Sequence, residues 1–340
     1  MSAVGTFVDL LAGRRDAAML TPRDWDGVIG VARAEAMLAT LAHQLKGAAL
    51  PAPVAALLAD QRAAAEVATQ QALWEAEMAR RALASERIEF VLLKGTAYAA
   101  AGLSCAEGRQ IGDLDILVPA HDIGRAENEL LEAGWEWVKS DPYDDAYYRE
   151  HMHELPPLIH KARDRMIDVH HTILPQTHRT TPDPLALVAD AAMTESGFAV
   201  LAPADMACHC AAHLLADGDL QGGLRNLWDF HCLTRDFAAV DPGFWGRLDA
   251  RAAKHGLRAV VHRAARLARD LYASELPEGW GRSNPRDRWF RRRLLARDDW
   301  GHASDFALQQ AFYIRSHWLR MPPLLLARHL WTKWRKRAAG

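Results

Sequence analysis

The sequence predicts an α+β protein, in which a mixed sheet is flanked by N- and C-terminal helical regions. Residues 1–85 are rich in alanine with apolar residues at helical spacings. Residues 86–175 alternate short apolar runs with a helix-like segment, and residues 176–340 return to helical patterns. We therefore expect an N-terminal helical region, an α/β core and a C-terminal helical region with these bounds.

The N-terminal region should form two helices separated by Pro51 and Pro53. The second helix is expected over residues 54–84, because leucine, methionine and alanine recur there at mixed helical spacings and no proline interrupts them. We expect this region to pack against the α/β core.

The core should contain three neighbouring strands, formed by the apolar runs 90–93, 114–118 and 166–170. One helix is expected over residues 123–133, ending at Gly134. In the C-terminal region, helices should fill residues 184–272, with Pro203 or Asp205 opening one and the Gly222-Gly223 pair breaking the next.

Three carboxylates lie on two of these predicted strands. Asp113 and Asp115 alternate with apolar residues, so in an extended segment they project to the same side. Asp168 lies in the third apolar run, with His170 two residues later on the same side. Because hard cations such as Mg²⁺ and Mn²⁺ prefer carboxylate oxygens, Asp113, Asp115 and Asp168 are candidate metal ligands. The alternative for an isolated Asp-x-Asp is a solvated turn.

A lysine and a glycine follow the first predicted strand. Lys94-Gly95-Thr96 should start a helix, whose free N–H groups and positive dipole end suit a phosphate, and the lysine adds a point charge. The alternative is a tight turn with a solvated lysine. Arg109 precedes the carboxylate pair and could bind phosphate oxygens in bidentate fashion, or could neutralise the acidic cluster when metal is absent.

Together these motifs resemble the nucleotidyltransferase superfamily typified by DNA polymerase beta, in which a Gly-Ser turn precedes a strand carrying Asp-x-Asp. The closer resemblance is to a bacterial nucleotidyltransferase-like family that reads Leu-Lys-Gly, then Arg, then Asp-x-Asp-x-Leu-Val with Ile or Leu at each x, and later Glu or Asp, any residue, His, and Trp or His. This chain matches that pattern at residues 93–95, 109, 113–118 and 168–171. The resemblance covers residues 86–172 and continues more weakly into the helices that contain His209, His213 and Asp229. The resemblance implies a nucleotidyltransferase fold for the core.

The resemblance also implies roles for individual residues. Asp113, Asp115 and Asp168 would be the catalytic and metal-binding carboxylates, with Asp168 activating the acceptor hydroxyl. The implied nucleotide-binding residues are Lys94, Gly95, Thr96 and Arg109. The implied substrate contacts are His170, His209 and His213. A zinc site built from His209, His213 and the nearby Cys208, Cys210, His231 and Cys232 is the alternative reading of the histidine pair.

The implied activity is metal-dependent transfer of a nucleoside monophosphate from an NTP, with Mg²⁺ or Mn²⁺ as cofactor. The acceptor would be an unidentified hydroxyl group on a protein, a peptide natural product, a sugar or a small molecule. Two other readings remain open: a non-catalytic nucleotide-binding accessory protein, and glycosyl transfer on a reused nucleotidyltransferase fold.

Composition limits the partners. The net charge of −2 gives no overall attraction to nucleic acid, so direct DNA binding is not expected. Four irregularly spaced cysteines and the lack of a leader-like N-terminus favour a reduced cytoplasmic protein, and the family resemblance implies a bacterial one. Residues 313–337 combine tryptophan, leucine and arginine, which is typical of a helix in peripheral contact with a membrane or of a docking helix. The alternative is a terminal helix packed on the protein's own helical region.

Overall fold

A computed structural model describes residues 2–138 and 142–323, together with residues 326 and 331. The helices are α1 (Ala3–Leu11), α2 (Pro22–Ala34), α3 (Leu38–Gln44), α4 (Ala52–Leu83), α5 (Lys94–Ala100), α6 (Ile123–Glu132), α7 (Pro142–His151), α8 (Pro184–Ala189), α9 (Pro203–Ala212), α10 (Gly223–Val240), α11 (Phe244–Lys254), α12 (Arg258–Tyr272), α13 (Asp287–Leu294) and α14 (Phe306–Arg320). The strands are β1 (Val91–Leu92), β2 (Asp113–Leu117), β3 (Trp135–Trp137), β4 (Leu158–His160), β5 (Met166–His170), β6 (Ala192–Met193) and β7 (Ala199–Val200).

The strands form one mixed sheet in the order β3-β4-β5-β2-β1-β7-β6. Strand β2 runs parallel to β5 and antiparallel to β1, and β1 runs parallel to β7. The three strands expected from the sequence are therefore neighbours, and the α+β class with flanking helices is confirmed. Strand β1 is shorter than the apolar run that predicted it, because only Val91 and Leu92 are paired.

Several elements were not expected. Strands β3 and β4 form an antiparallel edge of the sheet, and the two-residue strands β6 and β7 extend its other edge from within a region predicted to be helical. Each is too short to show a periodic apolar pattern of its own. Helix α7 was not expected either, and it carries the chain from β3 to the segment that leads into β4.

The N-terminal region contains α1, α2 and α3 where the sequence predicted one helix before Pro51. Two features divide this segment. A capping box between Thr21 and Asp24 starts α2, and Ala36 adopts a left-handed conformation with φ of 53° between α2 and α3. After Pro51 the prediction is confirmed, since α4 runs as one long helix and packs against α5, α6 and β2.

The glycine pair at 222–223 starts a helix rather than breaking one. Helix α9 begins at Pro203, which is one of the two starts predicted, and ends at Ala212. A π-helical turn over His213–Asp217 follows it directly. Gly222 then adopts a left-handed conformation with φ of 64° as the N-cap of α10. Glycine is suited to this position because it has no Cβ to clash there. Helix α10 packs against α9 and α12.

One buried apolar cluster joins all parts of the protein. It runs from Phe7 of α1 through Leu92 and Ile116 of the central strands to Trp228 of α10. Each of these side chains is nearly inaccessible to solvent. The sheet is consequently held between the N-terminal and C-terminal helices, and the positions of its polar residues are fixed by a shared core.

The described beginning of the C-terminal tail is part of α14. Phe312 and Ser316 are buried, and the Arg315 guanidinium donates to the carbonyl of Leu215 at 2.8 Å, so this helix packs on the protein's own helical region. The basic residues at 333–337, on which the membrane prediction mainly depends, lie outside the described residues. No helix in the described part of the chain is both long enough and apolar enough to cross a membrane.

Candidate active site

The three predicted carboxylates converge at one point of the sheet. In the parallel register of β2 and β5, Asp115 lies directly opposite Asp168, and Asp113 lies two residues away on the same face. One carboxylate oxygen from each residue lies within 4.8 Å of those from the other two. Asp113 is exposed, Asp168 is partly buried and Asp115 is buried, so the cluster opens to solvent on the Asp113 side.

The carboxylates repel one another. Burial and the charge of Asp115 raise the pKa of Asp168 to about 7. The same two causes raise the pKa of Asp113 above its ordinary value. The Oδ1 atom of Asp168 is buried and has no hydrogen-bond partner. Like charges held together with an unsatisfied oxygen are a favourable set of ligands for a divalent cation.

Lys94 is the counter-ion of this cluster. Its ammonium group lies 2.6 Å from Oδ1 of Asp115. Burial opposes the charge of Lys94, but the carboxylate of Asp115 outweighs burial and raises the lysine pKa. Likewise burial opposes ionisation of Asp115, but Lys94 and a hydrogen bond from His170 keep the aspartate pKa well below its ordinary value. Asp115 is therefore ionised at neutral pH, and Lys94 is not the solvated lysine of the alternative prediction.

The turn after β1 differs in detail from the predicted glycine turn. The left-handed residue is Lys94, with φ of 48°, and this is an unfavourable conformation for a residue with a side chain. Gly95 is needed for space, because a Cβ on it would lie 2.7 Å from Nε of Arg109. Thr96 is buried in the first turn of α5, and its hydroxyl has no hydrogen-bond partner.

Arg109 connects this turn to the helical region. Its guanidinium is paired with the buried carboxylate of Asp229 on α10, and it lies 5.5 Å from the ring centre of Tyr98. The Nε atom of Arg109 is buried without a partner. Arg109 also lowers the pKa of Asp113, although burial and Asp115 have larger and opposite effects. The arginine thus lies between the turn, the acidic cluster and α10.

His170 does not face solvent. Its Nε2 lies 2.9 Å from Oδ1 of Asp115, and the residue is 1% exposed. Its Nδ1 lies 3.4 Å from Oε2 of Glu154. His170 lies on the same face of β5 as Asp168, as the sequence predicted. Its nearest partners are the carboxylates of Asp115 and Glu154.

His153 and Glu154 are site residues that no sequence pattern predicted. The backbone of residues 153–155 pairs with the end of β5, through an isolated bridge between Glu154 and His170 and a hydrogen bond from the N–H of His171 to the carbonyl of His153. The run His151-Met-His153-Glu154, with three potential metal ligands in four residues, could have indicated this group. It was overlooked because it lies outside the predicted strands.

His209 and His213 lie at the junction of α9 and the π-helical turn. Burial, and then the charge of Lys94, hold the pKa of His209 well below its ordinary value and lower that of His213 to about 4. Both rings are consequently neutral at pH 7 and close enough to feel the lysine charge. His209 is buried, whereas His213 is partly exposed.

The structure does not support the zinc site that combined these histidines with cysteines. Within the described residues, the groups whose potential ligand atoms come within 4.8 Å of one another are Asp113 with Asp115 and Asp168, and His153 with Glu154 and His170. The four cysteines are buried thiols. Burial raises the pKa values of Cys208 and Cys210, which disfavours the thiolate that zinc requires.

Comparisons with known proteins agree with this geometry. No curated protein matches the chain. A family described as an uncharacterised nucleotidyltransferase matches residues 21–273, a range that includes the acidic cluster, Lys94, Arg109 and the helices that carry His209 and Asp229. The match extends over most of the chain, and the protein belongs to this uncharacterised nucleotidyltransferase family.

Proposed function

We propose that the protein transfers a nucleoside monophosphate from an NTP to a hydroxyl acceptor, with a divalent cation held by Asp113, Asp115 and Asp168. The observation that carries this proposal is the convergence of three carboxylates, with oxygens within 4.8 Å, on two parallel strands of a member of a nucleotidyltransferase family. We propose that residues 86–175 form its catalytic region, with an N-terminal helical region over residues 1–85 and a C-terminal helical region over residues 176–340.

The acidic cluster fits Mg²⁺ or Mn²⁺. All three side chains offer oxygen, the Oδ1 atom of Asp168 is buried and unsatisfied, and the mutual repulsion of the carboxylates would be relieved by a cation. When bound, such a cation neutralises phosphate charge and lowers the pKa of a coordinated hydroxyl group.

Lys94, Gly95, Thr96 and Arg109 are proposed to bind the triphosphate. Lys94 supplies a positive charge at the turn and can exchange Asp115 for a phosphate oxygen. Gly95 leaves room for Arg109, whose unpaired Nε would lie 2.7 Å from a Cβ at this position. The hydroxyl of Thr96 and the Nε of Arg109 are buried donors without partners, and buried donors normally have one.

Asp168 is proposed to assist the acceptor. Its carboxylate lies opposite Asp115 in the sheet, where it can accept the proton of an acceptor hydroxyl placed at the cluster. His213 is the most exposed of the three candidate histidines, and we propose that it contacts the acceptor. His170 and His209 are proposed to support the site from the buried side.

The acceptor is proposed to be a hydroxyl group on a protein, a peptide natural product, a sugar or a small molecule, in the cytoplasm. Direct DNA binding is not part of the proposal, because the net charge of −2 gives no general attraction to the backbone.

Calorimetry with each NTP tests the nucleotide and metal assignments. Binding should require Mg²⁺ or Mn²⁺, and Asp113→Asn combined with Asp115→Asn should weaken metal-dependent binding while circular dichroism stays unchanged. Asp164→Asn, an exposed aspartate on the turn before β5, is the matched control. Equal NTP affinity in the wild type and the double variant would contradict the metal assignment.

Labelled donors separate the proposal from its two alternatives. Label from an NTP should move to a component of a host lysate. If label moves only from a nucleotide sugar, glycosyl transfer replaces the proposed activity. If NTP binds but no label moves from any donor, the accessory-protein reading replaces it.

A further inference from the structure

A second group of potential metal ligands lies beside the acidic cluster, and the proposed reaction uses none of its members as a metal ligand or catalytic group. It consists of His153, Glu154 and His170, and one potential ligand atom from each lies within 4.8 Å of the other two. We propose that these three residues bind a transition-metal ion of the Zn²⁺ type. This inference does not depend on nucleotide transfer.

The distances between the ligand atoms fit such an ion. Oε2 of Glu154 lies 3.4 Å from Nδ1 of His170 and 3.7 Å from Nε2 of His153. Zinc bonds of about 2.0–2.1 Å at tetrahedral angles place ligand atoms about 3.3–3.4 Å apart. Shifts of a few tenths of an ångström would therefore suit both of these pairs, and a ring nitrogen of each histidine lies within 4.8 Å of the other. Two imidazoles and one carboxylate are also a ligand set used by catalytic zinc sites.

The histidines have unsatisfied atoms. The Nδ1 atoms of His153 and His170 are both buried, and neither has a hydrogen-bond partner. A buried polar atom without a partner is uncommon, because it has lost its water without replacing it. His170 is 1% exposed and His153 is 7% exposed. For His170 the unsatisfied nitrogen is the one nearest to Glu154.

The other nitrogen of His170 is already held in place. Its Nε2 lies 2.9 Å from Oδ1 of Asp115, an arrangement in which the carboxylate accepts the proton of a metal-binding imidazole. This hydrogen bond leaves the lone pair on Nδ1, facing Glu154. It also means that Asp115 links the proposed ion to the acidic cluster.

The backbone and the charges both favour the site. The bridge between Glu154 and His170, and the hydrogen bond from His171 to the carbonyl of His153, hold the ligands on paired segments. Asp115 and Glu154 contribute two negative charges, against the single ammonium of Lys94. The local excess of negative charge attracts a cation. Hard cations would prefer the all-oxygen cluster, whereas the nitrogen ligands favour Zn²⁺ or Co²⁺.

Cobalt binding by the full-length protein tests the inference. The protein is treated with a chelator, desalted and titrated with Co²⁺ in the presence of excess Mg²⁺, which occupies an all-oxygen site. We expect about one Co²⁺ per chain, with the strong visible absorption of a four- or five-coordinate ion with nitrogen ligands. Absence of a Mg²⁺-resistant Co²⁺ ion, or the weak absorption of a six-coordinate oxygen site, would overturn the inference without any variant being made.

Variants then locate the ion. Glu154→Gln and His153→Gln should each weaken Co²⁺ binding by more than about 100-fold, which exceeds the usual effect of a change beyond the ligands themselves. His171→Gln makes the same chemical change at the histidine that follows His170 in the sequence, and it should leave Co²⁺ binding unchanged. Asp113→Asn should also leave Co²⁺ binding unchanged. If Asp113→Asn abolishes the Co²⁺ site and Glu154→Gln does not, the ion lies in the acidic cluster and the inference is wrong. A protein that binds Co²⁺ as expected but transfers no nucleotide would refute the proposed function alone.

Discussion

Replacing Asp168 by asparagine should stabilise the metal-free protein, and should do so more strongly at alkaline pH. Asp168 lies opposite Asp115 in the sheet, and its pKa is raised from 3.8 to about 7 by burial and by that neighbouring charge. Because the folded state holds this proton more tightly than the unfolded state, stability falls as the pH rises from about 4 to about 7. Asparagine has nearly the same shape and cannot ionise, so the variant avoids this loss.

The size of the effect follows from the pKa difference. A rise from 3.8 to about 7 corresponds to roughly 4 kcal/mol at most, of which about 2.3 kcal/mol develops between pH 5 and pH 7. Asp168 retains some contact with solvent, which screens the repulsion, so about half of this is a fair expectation. The advantage of the Asp168→Asn variant should thus grow by about 1 to 3 kcal/mol between pH 5 and pH 8.

Urea unfolding in the presence of EDTA at pH 5, 6, 7 and 8 measures this quantity. Asp164→Asn makes the same chemical change on an exposed turn between β4 and β5, and its effect on the free energy of unfolding should not vary with pH in this way. Addition of Mn²⁺ should stabilise the wild type more than Asp168→Asn, since only the wild type has all three ligands. An advantage of Asp168→Asn that is equal at pH 5 and pH 8 would refute the proposed electrostatic repulsion.

Three further predictions concern the turn and the tail. Gly95→Ala should lower the free energy of unfolding by about 1–3 kcal/mol, because the new Cβ would lie 2.7 Å from Nε of Arg109. Gly112→Ala, whose new Cβ would have no atom within 4 Å, should have a small effect in the same urea assay. Equal losses of stability in the two variants would contradict this. Lys94→Ala should raise the KM for NTP more than it lowers kcat in steady-state kinetics, because it binds phosphates in the ground and transition states alike, and an unchanged KM would refute that role. Removal of residues 324–340 should reduce retention on anionic vesicles at low salt in a sedimentation assay, and equal retention of both proteins would refute membrane contact through the tail.

The sequence predicted the centre of the sheet because that part of the chain has strong local signals. Asp113 and Asp115 alternate with buried Leu114 and Ile116, and a period of two residues determines which side chains share a face. Asp168 could be added because its apolar neighbours have the same pattern. What the pattern could not give is the register, in which Asp115 lies opposite Asp168.

The partners of the site residues could not be predicted from local patterns. Arg109 pairs in the structure with Asp229, 120 residues away on α10, and no local pattern indicates this contact. Lys94 adopts a left-handed conformation with φ of 48°, which the residues of the turn do not indicate. His153 and Glu154 reach His170 only because their short segment pairs with the end of β5. Such contacts depend on tertiary packing, which a single sequence does not specify by periodicity.

Transfer of label from the α-phosphate of an NTP tests the central claim most directly. The wild type, incubated with Mg²⁺ or Mn²⁺ and a host lysate, should move α-phosphate label but not γ-phosphate label to an acceptor. At saturating Mg²⁺ or Mn²⁺, Asp168→Asn should retain most of its NTP affinity through Asp113 and Asp115, and should lose about 10²-fold or more of this transfer, as expected for loss of general-base assistance. Transfer that persists undiminished in Asp168→Asn, or a wild type that binds NTP and metal but moves no α-phosphate label to any acceptor, would contradict the account.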